Sequence, residues 1–125
     1  MLRLENWMSG SVISCDEEDS VKSAVKKMVD NDIGCIVVMK GDSHSGIVTE
    51  NDIMKKVVGT DKTPEKTKIK DVMTTDIITL EVQSSLLKVS DTMARNHLRR
   101  IPLTKNGRIV GILTARDLLK IMSGR

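Results

Sequence analysis

Apolar and polar residues follow two rhythms along this chain, and both recur in the same order in its two halves. Val21, Ala24, Val25, Met28 and Val29 keep the i, i+3, i+4, i+7, i+8 spacing of one helix face. Leu86, Val89, Met93 and Ala94 repeat that spacing in the second half. Asp19-Ser20 and Ser84-Ser85 stand just before these runs, with side-chain oxygens suited to cap a helix. A short strand is expected ahead of each helix, at Val12–Ser14 and Ile77–Leu80. Two further strands follow. In the second half these are Ile101–Thr104 and Arg108–Leu113 around Lys105-Asn106-Gly107, and Asn-Gly is a strong hairpin signal. The first half has the looser Lys40-Gly41-Asp42-Ser43-His44-Ser45. A closing helix starts near Glu50, with Ile53, Met54 and Val57, and near Ala115, with Leu118, Leu119 and Met122.

The two halves are in register without a gap. Met8 aligns with Met73, Met28 with Met93 and Asn31 with Asn96. Further along, Gly46 aligns with Gly111, Thr49 with Thr114 and Asp52 with Asp117. An unbroken register of this length marks an internal repeat, in which each copy covers the other's apolar face. The expected fold is of the α/β (α+β) class: tandem βαββα repeats forming a pseudo-twofold pair. Residues 1–58 form repeat 1, 59–68 a polar linker containing Pro64, and 69–125 repeat 2, together one compact module.

Composition narrows the function. Of 125 residues 39% are apolar and 30% charged, as in a globular domain. Trp7 is the sole aromatic, so the core is built from aliphatic residues and eight methionines. Twenty basic residues face seventeen acidic ones, for a net charge of +3, with both signs scattered. That balance, without aromatic side chains for base stacking, argues against a nucleic-acid partner. Cys15 and Cys35 form no CxxC pair and match no zinc spacing, so no metal site is expected. The start, MLRLENWM, lacks the apolar stretch of a secretory signal, and the run Ile33–Met39 is too short to span a bilayer. These features point to a cytoplasmic protein without membrane contact. His44 and His97 have no neighbours that suggest a nucleophile or metal pair, and neither GxGxxG nor GxxxxGK[ST] occurs. No converging acid–base set marks an enzyme.

The chemistry-bearing positions are Thr49 with Asp52 and Thr114 with Asp117. Each pair sits where a strand hands over to a helix. Unpaired N–H groups and the helix dipole favour an anion there. A threonine hydroxyl can donate to a phosphate oxygen, and an ionised aspartate can accept from both hydroxyls of a ribose. The same Thr-x-x-Asp pattern is also that of a capping box, and the two roles are compatible.

The sequences Gly46-Ile47-Val48-Thr49-Glu50-Asn51-Asp52 and Gly111-Ile112-Leu113-Thr114-Ala115-Arg116-Asp117 close the last strand of each βαββα unit. With the openings Met8-Ser9 and Val72-Met73-Thr74, and the junction Asn96 to Leu103, they resemble the CBS domain over nearly the whole chain. The resemblance implies a stand-alone CBS pair, or Bateman module, that is not itself an enzyme and requires no cofactor. It implies an adenosine-containing effector, with AMP, ADP, ATP and S-adenosylmethionine all compatible, and a regulated partner protein acted on in trans. It also implies a homodimer formed through helices, for which the closing helices are candidate contact surfaces. The base would lie against the first strands, around Ser11–Ser14 and Asp76–Thr79, which brings Ser14 and Thr79 into the candidate site. In similar proteins the junction before the second strand faces the phosphate held by the other copy. Asp52 would then share its site with Arg99 or Arg100, whereas Asp117 would face Gly34 and Cys35, with Arg116 as a local substitute cation. By that reasoning the Asp52 site favours a phosphorylated ligand, and the Asp117 site is weaker or takes an uncharged nucleoside group. The competing readings are a nucleic-acid-binding protein and a purely structural protein-interaction module.

Overall fold

The computed structural model describes residues 2–10 and 12–124. Its elements are β1 (Ser14–Asp16), α1 (Val21–Asn31), β2 (Cys35–Lys40), β3 (Ser43–Thr49) and α2 (Glu50–Lys56), followed by β4 (Leu80–Glu81), α3 (Leu86–Asn96), β5 (Arg100–Lys105), β6 (Arg108–Thr114) and α4 (Ala115–Met122). Single 3-10 turns lie at Leu4–Asn6, Val58–Thr60 and Ile69–Asp71. The mixed α and β order, strand-helix-strand-strand-helix twice over, is the one the two rhythms predict.

Packing divides the chain differently from the repeat. One compact unit runs from Ile13 to Ile77; the other joins the opening residues, up to Val12, to the chain from Ile78 onward. The opening segment of each repeat therefore packs on the sheet of the other. In the first unit Thr74 and Ile47 exchange backbone hydrogen bonds of 2.8 and 2.9 Å; in the second, Ser9 and Ile112 do so at 3.0 and 3.1 Å. These are equivalent positions of the repeat, so the exchange is reciprocal.

Within the Ile13–Ile77 unit, β1 runs parallel to β2, and β2 antiparallel to β3. Cys35, Ile36, Val37 and Val38 are all buried, as a central strand covered on both faces requires. Val21, Ala24 and Met28 of α1 close over this sheet, joined by Val57, Ile69 and Val72. The other unit repeats the plan in β4, β5 and β6, with Val89 and Met93 of α3, and Leu4, Trp7 and Met8 drawn in from the opening segment. The sole aromatic thus helps tie the opening segment to that core.

Several local expectations shift. The first strands begin later than Val12 and Ile77, because parallel pairing sets them: Ser14 stands opposite Val37 and Leu80 opposite Leu103. Cys15 in the middle of β1 and Val82 just after β4 are both buried. Burial pushes the Cys15 thiol up to about 11, with Asp19 adding to the effect, so it stays protonated at neutral pH. The first hairpin is as tight as the second. Lys40 pairs directly with Ser43, and positive φ falls on Gly41, whereas the second turn places both Asn106 and Gly107 there. Val29 and Ala94 obey the helical spacing but are exposed. Ser20 and Ser85 accept from the backbone N–H groups of Ser23 and Lys88 as N-caps, both at 3.1 Å.

The linker is not a free tether. The carbonyls of Thr67 and Pro64 accept from the N–H groups of Val21 and Lys22, the first residues of α1. Glu18 then grips Lys68 at 2.8 Å and Lys70 at 2.9 Å. Hydrogen bonds from Lys68, then Lys70, hold the Glu18 carboxyl down to about 2 from an ordinary 4.5.

Two predictions follow from these contacts. A Cβ on Gly46 would lie 2.6 Å from the Thr74 carbonyl oxygen, whereas the nearest atoms to one on Gly111 belong to the flexible Met8 side chain. Chemical denaturation should show Gly46→Ala losing about 1–3 kcal/mol, and Gly111→Ala clearly less. The Glu18 clamp contributes stability above pH 4.5 and loses it as pH falls toward 2. The unfolding midpoints of wild type and Glu18→Gln should therefore differ near neutral pH, converge on acidification to pH 2, and differ less in high salt.

Candidate functional site

Each strand-to-helix handover ends on a threonine in extended backbone, Thr49 at φ −115°, ψ 165° and Thr114 at φ −104°, ψ 162°. Both pairs close a full capping box. The Thr49 hydroxyl accepts from the Asp52 N–H at 3.2 Å, and Asp52 Oδ2 accepts from the Thr49 N–H at 3.0 Å. The corresponding distances for Thr114 and Asp117 are 3.1 and 2.9 Å. The N–H of the first helical residue is also used: Glu50 donates to the Gly34 carbonyl and Ala115 to the Arg99 carbonyl. Three backbone donors expected to be open at each helix start thus have partners within the chain. An anion finds fewer free N–H groups there than the sequence implies, and side chains become the decisive contacts.

The side chains differ between copies. Asp52 is only 7% exposed. Its Oδ2 also accepts from the Thr49 hydroxyl at 3.2 Å, the Thr74 hydroxyl reaches Oδ1 at 3.1 Å and Oδ2 at 3.3 Å, and Lys56 Nζ pairs with Oδ1 at 3.1 Å. Asp117 is half-buried, and its box contact through Oδ2 is its sole side-chain acceptor contact among the described residues. Neither its Oδ1 nor the proton of the Thr114 hydroxyl has a partner among those residues.

Of the remaining candidates, Arg99 and Arg116 are exposed, and Arg100 is half-buried at the start of β5. Ser14 opens β1 with its side chain exposed and its carbonyl accepting from Lys27 Nζ at 2.8 Å. Thr79 is half-buried just before β4, and Ser11 lies outside the described residues. Thr74 and Lys56 were not singled out from the sequence. The signals for them were an Asp-to-Lys spacing of i, i+4 and a mismatch at two repeat positions, where the second copy has Ser9 and Ile121.

Comparison with known proteins agrees with this fold. The family model for the CBS domain matches residues 4–59 and again 69–124. The chain belongs to the CBS domain family. Its similarity to YlbB of Bacillus subtilis, an uncharacterised protein, is 36% identity over 120 residues, covering 94% of this chain and 80% of that one. The mitochondrial CBS domain-containing protein CBSX3 of Arabidopsis thaliana is 31% identical over 116 residues, 89% of this chain and 56% of the plant protein. A crystal structure of an uncharacterised conserved protein from Pyrococcus horikoshii superposes with a TM-score of 0.89 at 28% identity, covering 98% of this chain and 93% of the other. Both CBS repeats are thus present, each with its Thr–Asp motif at the end of the last strand. Among the described residues, no helix is long and apolar enough to cross a membrane.

Removing either cap should cost about 1 kcal/mol. Because the Thr49 hydroxyl also donates to Asp52, Thr49→Ala should be the costlier of the two, and paired denaturation curves with Thr114→Ala check this.

Proposed function

We propose that this CBS pair is a regulatory binding module for an adenosine-containing ligand of the AMP, ADP, ATP or S-adenosylmethionine type, acting in trans on a partner protein and catalysing no reaction itself. The observation that carries the reading is a half-exposed aspartate, fixed by a capping box, with one carboxylate oxygen still open to accept hydrogen bonds. Such an oxygen suits the vicinal hydroxyls of a ribose. The adjacent threonine hydroxyl, an acceptor within the box, retains its proton for a phosphate or another polar group of the ligand.

The proposed setting is cytoplasmic, and the proposed assembly is a homodimer through helix faces. Supporting it, Val29, Met54 and Val58 are exposed along an open groove of about 450 Å³ between α1 and α2, and Leu119 and Met122 of α4 are likewise exposed. Apolar side chains grouped in this way mark association surfaces.

Calorimetric titration of the purified protein with AMP, ATP and S-adenosylmethionine tests the ligand reading. Saturable binding that an aspartate substitution in one Thr–Asp motif abolishes is the expected result. Failure of all three to bind would reduce both motifs to helix caps. Sedimentation of the same preparation should give twice the chain mass, and Met54→Glu with Leu119→Glu should shift it to the monomer; a wild-type monomer at high concentration would sink the dimer.

A further inference from the structure

The two Thr–Asp motifs share spacing and capping geometry, so any difference in what they bind must come from what else reaches each carboxylate. An ionised carboxylate offers about four lone-pair positions. On Asp52 both oxygens are engaged by this chain: by Thr49, by the Thr74 hydroxyl and by the Lys56 ammonium. Lys56 is itself held in place, donating to the Val72 carbonyl at 3.0 Å. Lys56 and Thr74 therefore tie α2 to the opening segment of the second repeat, with Asp52 as the shared acceptor. A diol arriving there would have to displace an ion pair and a hydroxyl contact that the fold already holds in place.

The second copy lacks this closure. Ile121 stands where Lys56 does and packs against the apolar core. Ser9 stands where Thr74 does, with an exposed side chain that makes no hydrogen bond to Asp117. We propose that Asp52 is a structural tie closed by Lys56 and Thr74, and that the chain takes one ligand, through Asp117. This rests on the reading that the ligand offers a diol to a Thr–Asp motif. It reverses the order of the two sites implied by Arg99 and Arg100.

Asparagine substitutions separate the alternatives, because an asparagine oxygen can still accept the capping N–H while its amide presents donors where the second oxygen was. In titrations with AMP, ATP and S-adenosylmethionine, the wild type should bind one molecule per chain of whichever is taken. Asp117→Asn should weaken that binding at least tenfold. Asp52→Asn should keep the stoichiometry of one and lower the melting temperature further than Asp117→Asn does. The double variant Lys56→Ile with Thr74→Ser, which copies the second half into the first, should bind two. Loss of binding in Asp52→Asn with retention in Asp117→Asn overturns the proposal, as does a wild-type stoichiometry of two. A double variant that folds and still binds one overturns the closure by Lys56 and Thr74. If nothing binds to wild type or double variant, the ligand reading itself fails. The melting temperatures then decide the remaining claim: an Asp52→Asn protein as stable as Asp117→Asn overturns the tie, and a less stable one supports it.

Discussion

The pairing of Thr74 with Ile47, and of Ser9 with Ile112, is the constraint from which the rest of the architecture follows. A three-stranded sheet with helices on it leaves backbone groups of its edge strand without partners, and these must be satisfied or solvated. Here the edge strands β3 and β6 each receive a short segment that belongs, in sequence, to the other repeat. The close approach demands glycine at Gly46, where the Thr74 carbonyl leaves no room for a side chain. The same approach delivers the Thr74 hydroxyl to Asp52. Backbone exchange, an obligatory glycine and the state of one carboxylate are thus consequences of a single contact.

Asymmetry between the copies arises from few substitutions. The backbone geometry of the two capping boxes is nearly the same, and both hairpins show a register shift at equivalent places, after Val38 and after Leu103. What differs is the side-chain shell: lysine against isoleucine, threonine against serine. A duplicated fold can in this way keep its scaffold while one motif becomes a stabilising cluster and the other stays open to solvent.

Much of this was legible in the sequence, for identifiable reasons. Helix faces, the Asn106-Gly107 turn and the Ser20 and Ser85 caps are local signals, and each forms where the residues indicate. The Thr-x-x-Asp boxes were visible for the same reason. Features that depend on distant partners were not. The first strands are placed by pairing with β2 and β5, which the short runs at Val12 and Ile77 do not encode. Val29 satisfies the apolar period yet is exposed, because periodicity identifies a face without fixing how wide a stripe is covered. The linker reads as a polar connector, and its side chains are mostly exposed, but the Pro64 and Thr67 carbonyls are bound to the start of α1. The closure of Asp52 needed Thr74, 22 residues away, which no local pattern announces.

The crossed openings also bear on the order in which the chain assembles. Positions 47 and 74 are 27 residues apart, whereas 9 and 112 are 103 apart. Closing the longer loop costs about 1 kcal/mol more in chain entropy. On the ribosome Thr74 follows Ile47 after 27 residues, while Ser9 must wait for 103 residues before Ile112 exists. Until then Leu4, Trp7 and Met8 have no core to enter, since β5 and β6 come last. The segment Leu4–Met8 is therefore sheltered only after the second repeat has been made. During that interval the segment Leu4–Met8 is available to the β6 edge of a neighbouring nascent chain, and this topology carries its own route to strand-swapped misassembly.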